Sequence, residues 1–221
     1  MKSKAISLYI VLFFLCSFSS RASFVLLPME AEGQQNHLKA YGITYWALDK
    51  SYKVSWLLNY RGGSFLLPDA PEIRKECQIR GVTFEVLSDV ATNSILEDIS
   101  SPSQNMETVV LEKAPKIAVY TPKGKQPWDD AVTMVLTYAE IPFTEVYDEE
   151  VLSDQLLLYD WLHLHHEDFT GQYGKFFGNY RSTPWYIQQK AEAEALAKKL
   201  GYTKVSEEKL AVAKKIRDFV I

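Results

Sequence analysis

Cysteine is nearly absent from this chain of 221 residues: Cys16 and Cys77 are the only two. No disulfide framework can be built from them, so stability has to come from core packing. Positive charge is also in short supply. The formal net charge is -4, which removes the electrostatic footprint that nucleic-acid binding requires. There is no Walker-type phosphate loop, no G-x-G-x-x-G, no repeat at solenoid period and no low-complexity tract. No nucleotide or other cofactor is therefore expected. The longest nearly unbroken apolar run covers residues 5–18, 14 residues in all. It falls short of the roughly 20 needed to span a bilayer.

That short run has the layout of an export signal. Lys2 and Lys4 precede it, and Ser20-Arg21-Ala22 follows with small side chains at both positions a signal peptidase reads. The expectation is a signal peptide over residues 1–22, cleaved after Ala22, and a periplasmic or secreted product with no stable membrane span. A retained anchor helix is the alternative. A lipid anchor at Cys16 is disfavoured by the bulky Phe13-Phe14-Leu15 before it. Cleavage removes Lys2, Lys4 and Arg21, three cations and no anion, and moves the formal charge from -4 to -7. Only Cys77 then remains, inside an amphipathic helical pattern with no neighbouring histidine, which reads as a packed thiol rather than a nucleophile.

With 47% apolar residues, the remainder is ample for one large or two small α/β domains. The pattern predicts an N-terminal α/β domain over residues 23–112. Phe24 to Leu27 opens it as a strand, a helix follows Asn36, and residues 52–58 and 65–67 are extended around Arg61-Gly62-Gly63-Ser64. Asp69 and Glu72 have capping-box spacing before a helix that ends at Gly81. Residues 88–106 read as a surface excursion with a short helix near Ile95, and 106–111 as a β-branched run. A second α/β domain is predicted over residues 113–221. Strands at 117–120, 143–147 and 159–165 alternate there with helices, which indicates a parallel sheet of flavodoxin-like type. Thr183-Pro184 starts a long helix that Gly201 ends. A last helix opens at Ser206 with Leu210, Ala213, Ile216 and Val220 at helical spacing, and the chain stops on it. The expectation is that this sheet is incomplete and that the chain continues past Ile221.

Candidate chemistry is concentrated at the end of the third strand. Three of the four histidines, His163, His165 and His166, lie within four residues beside Glu167 and Asp168. A strand places His163 and His165 on one face, where paired imidazoles can hold a metal. A metal-dependent hydrolase is one reading. Metal-free catalysis or ligand binding by His165, His166, Glu167 and Asp168 is another, and histidines bonded to neighbouring loops are a third. Arg61, Gly62 and Gly63 make a second candidate. Glycine amides and a guanidinium can clamp an anionic ligand, and the same residues suit a hairpin turn. The segment 171–181 interleaves Gly171, Gly174 and Gly178 with aromatics, as a lid or an ordered surface loop.

Three strings together resemble a family: Asn36-His37-Leu38-Lys39-Ala40-Tyr41-Gly42, Trp56-Leu57-Leu58-Asn59-Tyr60-Arg61-Gly62-Gly63-Ser64-Phe65, and residues 160–169. The chain is similar to exported Bacteroidetes-type proteins labelled asparagine synthetase B, whose second part is similar to the class I glutamine amidotransferase-like fold. The resemblance implies an amidotransferase- or hydrolase-like enzyme. It places a nucleophilic cysteine on a strand-to-helix turn after a later strand, with a downstream histidine, beyond Ile221. A glutaminase cysteine at the mature terminus is not part of this pattern, since Ser23 stands there, and no Ser-Gly-Gly-x-Asp loop is present. The alternative is a non-catalytic exported protein that holds a small-molecule ligand. Oligomeric state is not legible in these residues.

Overall fold

The computed structural model describes residues 23–121, 131–164 and 173–220, with the side chains of 173–176 excepted. The described residues form two compact units, one ending at Lys113 and the other starting at Ala114. Both mix helix and strand, and no described helix is long and apolar enough to cross a membrane.

The first unit is built on a five-stranded sheet of order β4-β1-β3-β2-β5, from β1 (Ser23–Leu27), β2 (Val54–Leu58), β3 (Ser64–Pro68), β4 (Glu85–Ser88) and β5 (Glu107–Leu111). All four pairings are antiparallel. A five-residue connection over 59–63 permits nothing else between β2 and β3, because a parallel return needs a long crossover. Alternation along the strands sorts side chains onto two buried faces. Val25, Leu27, Val54, Phe65 and Leu67 pack with Ala40, Ile43 and Ala47 of α1 (His37–Asp49) and Ile73 and Cys77 of α2 (Pro71–Arg80). Leu26, Leu57 and Leu66 pack on the other face against Ile99, with Ile95 and Leu96, from α3 (Asp89–Ile99). Burial on both sides explains why β1 and β3 read as continuous apolar runs.

Two local expectations are corrected here. Asp69 and Glu72 do not form a capping box, because Pro71 takes the first helical position of α2 and makes Ala70 its cap. Asp69 accepts instead from Ser23 Oγ at 2.6 Å and pairs with Arg74, while Glu72 accepts from the Tyr52 hydroxyl. The excursion over 88–106 contains a full 11-residue helix, α3, capped by Ser88 Oγ accepting from Ala91 N. Its Ser, Asn and Asp residues face out, so the narrow apolar stripe is easily missed.

Cys77 has no exposed surface, and burial pushes its thiol up to about 12. A thiol reagent added to folded protein at pH 8 should leave Cys77 unmodified, with full labelling only in denaturant. Stoichiometric labelling of native protein would contradict this packing.

The second unit holds a three-stranded parallel sheet of order β7-β6-β8, from β6 (Ile117–Tyr120), β7 (Thr144–Val146) and β8 (Trp161–Leu164). The chain passes from β6 to β7 on one side and then to β8 on the other, so β6 is central and strand order switches beside it. The helices are α4 (Ala131–Ala139), α5 (Asp148–Leu152), α6 (Tyr173–Tyr180), α7 (Pro184–Lys199) and α8 (Val205–Val220). Val212 and Ile216 of α8 pack on Ala118 and Tyr120 of β6, together with Val151 and Leu156. Thr183 caps α7 with Pro184 at its first position, and Gly201 follows its end at φ +88.

Three differences in this unit matter for the site. The third strand starts at Trp161 rather than at Tyr159. Tyr159 and Asp160 precede it, and Asp160 N–H donates to Lys116 O at 2.9 Å while its carboxylate accepts from Lys116 N at 2.8 Å. The glycine-rich segment contains α6, in which Phe177 and Tyr180 meet the rings of Tyr186 and Trp185. Such ring contacts offset the roughly 1 kcal/mol that each helical glycine costs. The buried stripe of α8 includes Glu208, Lys209, Val212 and Ile216, whereas Leu210 and Val220 are exposed. Of the expected stripe Ile216 is buried, but the inward face runs through Lys209 and Val212 rather than Leu210 and Ala213, because two charged residues occupy it.

Candidate functional site

At the first candidate site, the connection between β2 and β3 is drawn onto the chain after β1. Asn59, Arg61, Gly62 and Gly63 all have positive φ. Met29 N–H donates to Arg61 O at 3.1 Å, and a Cβ on Gly62 would lie 2.5 Å from the Met29 carbonyl carbon. The Arg61 guanidinium donates from Nη1 and Nη2 to both Glu85 oxygens at 2.9 and 2.8 Å, and from Nε to Glu30 at 2.8 Å. The paired bonds to Glu85, then those to Glu30, hold Arg61 charged well above its ordinary range, and Arg61 in turn lowers the Glu85 carboxyl. Arg61 thus ties the turn to the segment after β1 and to β4. An anionic ligand at this turn would have to compete with two carboxylates of the protein itself.

At the second, His163 lies mid-strand in β8, half-buried, opposite Val119. Leu162 and Leu164 point to the face covered by α8, so His163 points to the other. His165, His166, Glu167 and Asp168 lie outside the described residues. Among the described residues, no three His, Cys, Asp or Glu side chains are grouped to hold a metal.

A third constellation lies at the carboxyl ends of β6 and β7, where open parallel sheets hold their ligands. Tyr120 ends β6 with no exposed surface, and Tyr147 and Asp148 follow β7 directly. The first two turns of α8 bring Glu208 and Lys209 to them. Lys209 Nζ donates to Asp148 Oδ2 at 2.7 Å and to the hydroxyls of Tyr120 and Tyr147 at 3.2 Å each. The Tyr120 hydroxyl also donates to Asp148 Oδ1. The ammonium lies 4.5 Å from the Tyr147 ring centroid, within cation–π range. Asp148 is 1% exposed and Lys209 7%, so this is a buried ion pair whose hydrogen bonds are well supplied.

Glu208, also 1% exposed, is the exception. Its Oε1 has no hydrogen-bond partner among the described residues. Burial, and then the Asp148 charge, push its carboxyl up to about 8, with Lys209 opposing them. Thr121 Oγ1, just past β6, is likewise buried and without a hydrogen-bond partner among the described residues. Beside the Asp148–Lys209 pair, Glu208 is thereby biased toward its protonated form near neutral pH. It can give and take a proton in the physiological range, which is the property acid–base catalysis requires.

The sign of the pH dependence follows directly. Between its ordinary range and about pH 8, Glu208 holds its proton in the folded chain and loses it in the unfolded one. Its contribution to stability is present at low pH and disappears as pH rises through that window. Glu208→Gln should leave stability at pH 5 little changed and gain about 1–3 kcal/mol at pH 8.5. Urea unfolding of both forms at the two pH values checks this. An equal difference at both would place the Glu208 pKa outside the window.

Sequence reasoning missed every member of this group. The available signal was spacing: Val205, Lys209, Val212, Ile216 and Phe219 recur on one helical face, with a lysine at a core position. No protein-family model, curated protein or solved structure matches the chain. The functional reading rests on the geometry of the described residues.

Proposed function

We propose that this is an exported protein, periplasmic or secreted, whose second unit binds a small molecule at the carboxyl edge of its parallel sheet and acts on it as an amidotransferase- or hydrolase-like enzyme. The observation that carries the reading is the buried Lys209–Asp148–Tyr120 group with the proton-holding Glu208 beside it. Buried charges of this kind do little for stability compared with apolar packing, so a working role accounts for them better than a structural one. The strand order β7-β6-β8 supports the flavodoxin-like reading, since doubly wound sheets place ligands at such a switch. His165, His166, Glu167 and Asp168, which follow β8 in sequence, are the candidate acid–base and ligand-contacting residues of this reading. The resemblance to exported proteins labelled asparagine synthetase B points to an amide substrate and a nucleophile beyond Ile221.

The test is ammonia release from L-glutamine and L-asparagine by the full-length protein isolated from its own cell envelope. The reading expects turnover that falls at least tenfold in Glu208→Gln and in His165→Ala. Absence of turnover with either amide would contradict the enzyme reading. A non-catalytic ligand-binding protein is the second reading. It is favoured by Cys77, the one described thiol, being sealed in the core of the first unit.

A further inference from the structure

Between α7 and the start of α8 the second unit has an open groove of about 980 Å³. Small-molecule sites occupy about 300–1,000 Å³, so the space suits a ligand of ordinary metabolite size. Its charged lining is Lys190, Glu194, Lys198, Lys204 and Lys209. Lys209 is already matched by Asp148, and Lys190 pairs with Glu194 at 3.7 Å on the exposed face of α7. Lys198 and Lys204 form no ion pair among the described residues, so the groove carries two uncompensated cations. Between them the wall includes Tyr186, almost fully buried, and the half-buried Tyr202, which supply aromatic surface. Helix α8 also starts in this wall, with the positive end of its dipole and its first N–H groups there.

We infer that this groove binds a small dianionic molecule, a dicarboxylate or a phosphate monoester, with Lys198 and Lys204 as its charge partners and Lys209 at its inner wall. The inference rests on the reading of the second unit as a small-molecule unit and supplies its ligand class. Lys209 is the link, since this residue lines the groove and its ammonium holds Asp148 at the sheet edge. Two lysines recognise charge rather than planar geometry, so either anion fits them. A ligand in the groove would come within reach of the acid–base group through that single side chain.

Titration of the full chain with succinate and with inorganic phosphate, followed through the amide resonances of Gly201, Thr203 and Val205, tests this. Saturable shifts are expected with at least one of the two probes. The apparent affinity should weaken several-fold between 50 and 300 mM sodium chloride and at least tenfold in Lys198→Glu/Lys204→Glu. Both lysines are exposed, so an unchanged circular dichroism spectrum will show that the double variant is folded. Shifts with succinate alone assign a dicarboxylate, and shifts with phosphate alone assign a phosphate monoester. The inference is overturned if neither probe moves these amides, if chloride reproduces the shifts, or if the double variant binds as tightly as native protein. Binding without ammonia release would keep the groove and remove the enzyme reading. Ammonia release with a groove that binds neither anion would do the reverse.

Discussion

Lys209→Met is expected to destabilise the second unit by about 3–5 kcal/mol, because it leaves the Asp148 carboxylate buried without its cation. Methionine fills most of the volume, so the loss reports charge rather than packing. Asp148 would keep the Tyr120 hydroxyl but lose the ammonium at 2.7 Å, and Glu208 would lose the only nearby charge that opposes its protonation. Amide exchange at Ala118, Val119 and Tyr120 of β6 should accelerate by about two to three orders of magnitude, since each tenfold corresponds to about 1.4 kcal/mol. Adding Asp148→Asn should recover much of that stability, as removing both charges is far cheaper than stranding one. Full loss in the double variant would mean that the stranded Asp148 charge is not the source of the destabilisation.

Gly62→Ala should cost about 2–4 kcal/mol in the first unit. Two effects add here. The position has φ +79, which an L-residue adopts at a cost of about 1–2 kcal/mol, and its Cβ would meet the Met29 carbonyl carbon and oxygen at 2.5 Å. Backbone cannot swing aside as a side chain can. The turn would have to move off Met29, loosening the Met29–Arg61 hydrogen bond and the clamp on Glu30 and Glu85. Gly81→Ala supplies the internal control. It has φ +65 with open space around the added methyl, so only the conformational cost of about 1–2 kcal/mol applies. Denaturant melts of the two variants separate strain from contact. Equal losses would show that the approach to Met29 carries no energy.

Much of the framework was legible because local chemistry agreed with it. The Gly-Gly after Arg61 turns the chain between two antiparallel strands, and Thr183-Pro184 with Gly201 brackets α7. The alternation of β8 separates Leu162 and Leu164 from Trp161 and His163 as expected. What was hidden depends on partners distant in the chain. The antiparallel order of the first sheet comes from β1 lying between β3 and β4, which no local pattern encodes. Helix α6 depends on rings in α7. The carboxyl-edge group was invisible for a physical reason: Glu208 and Lys209 look like solvent-facing residues until Asp148, 60 and 61 positions earlier, is brought beside them. The Arg61 turn was recognised as a feature, but its two carboxylate partners, Glu30 and Glu85, lie 31 and 24 positions away.

The acid–base role proposed for the sheet's carboxyl edge requires one carboxyl group there that keeps its proton near neutral pH. A 13C NMR titration of the side-chain carboxyl carbons, native against Glu208→Gln, measures this directly. The prediction is one glutamate resonance with its midpoint near pH 8, absent from the variant. If every glutamate of the folded protein titrates below about pH 6, the edge holds only ionised carboxylates at neutral pH. The acid–base role proposed for it would then be wrong.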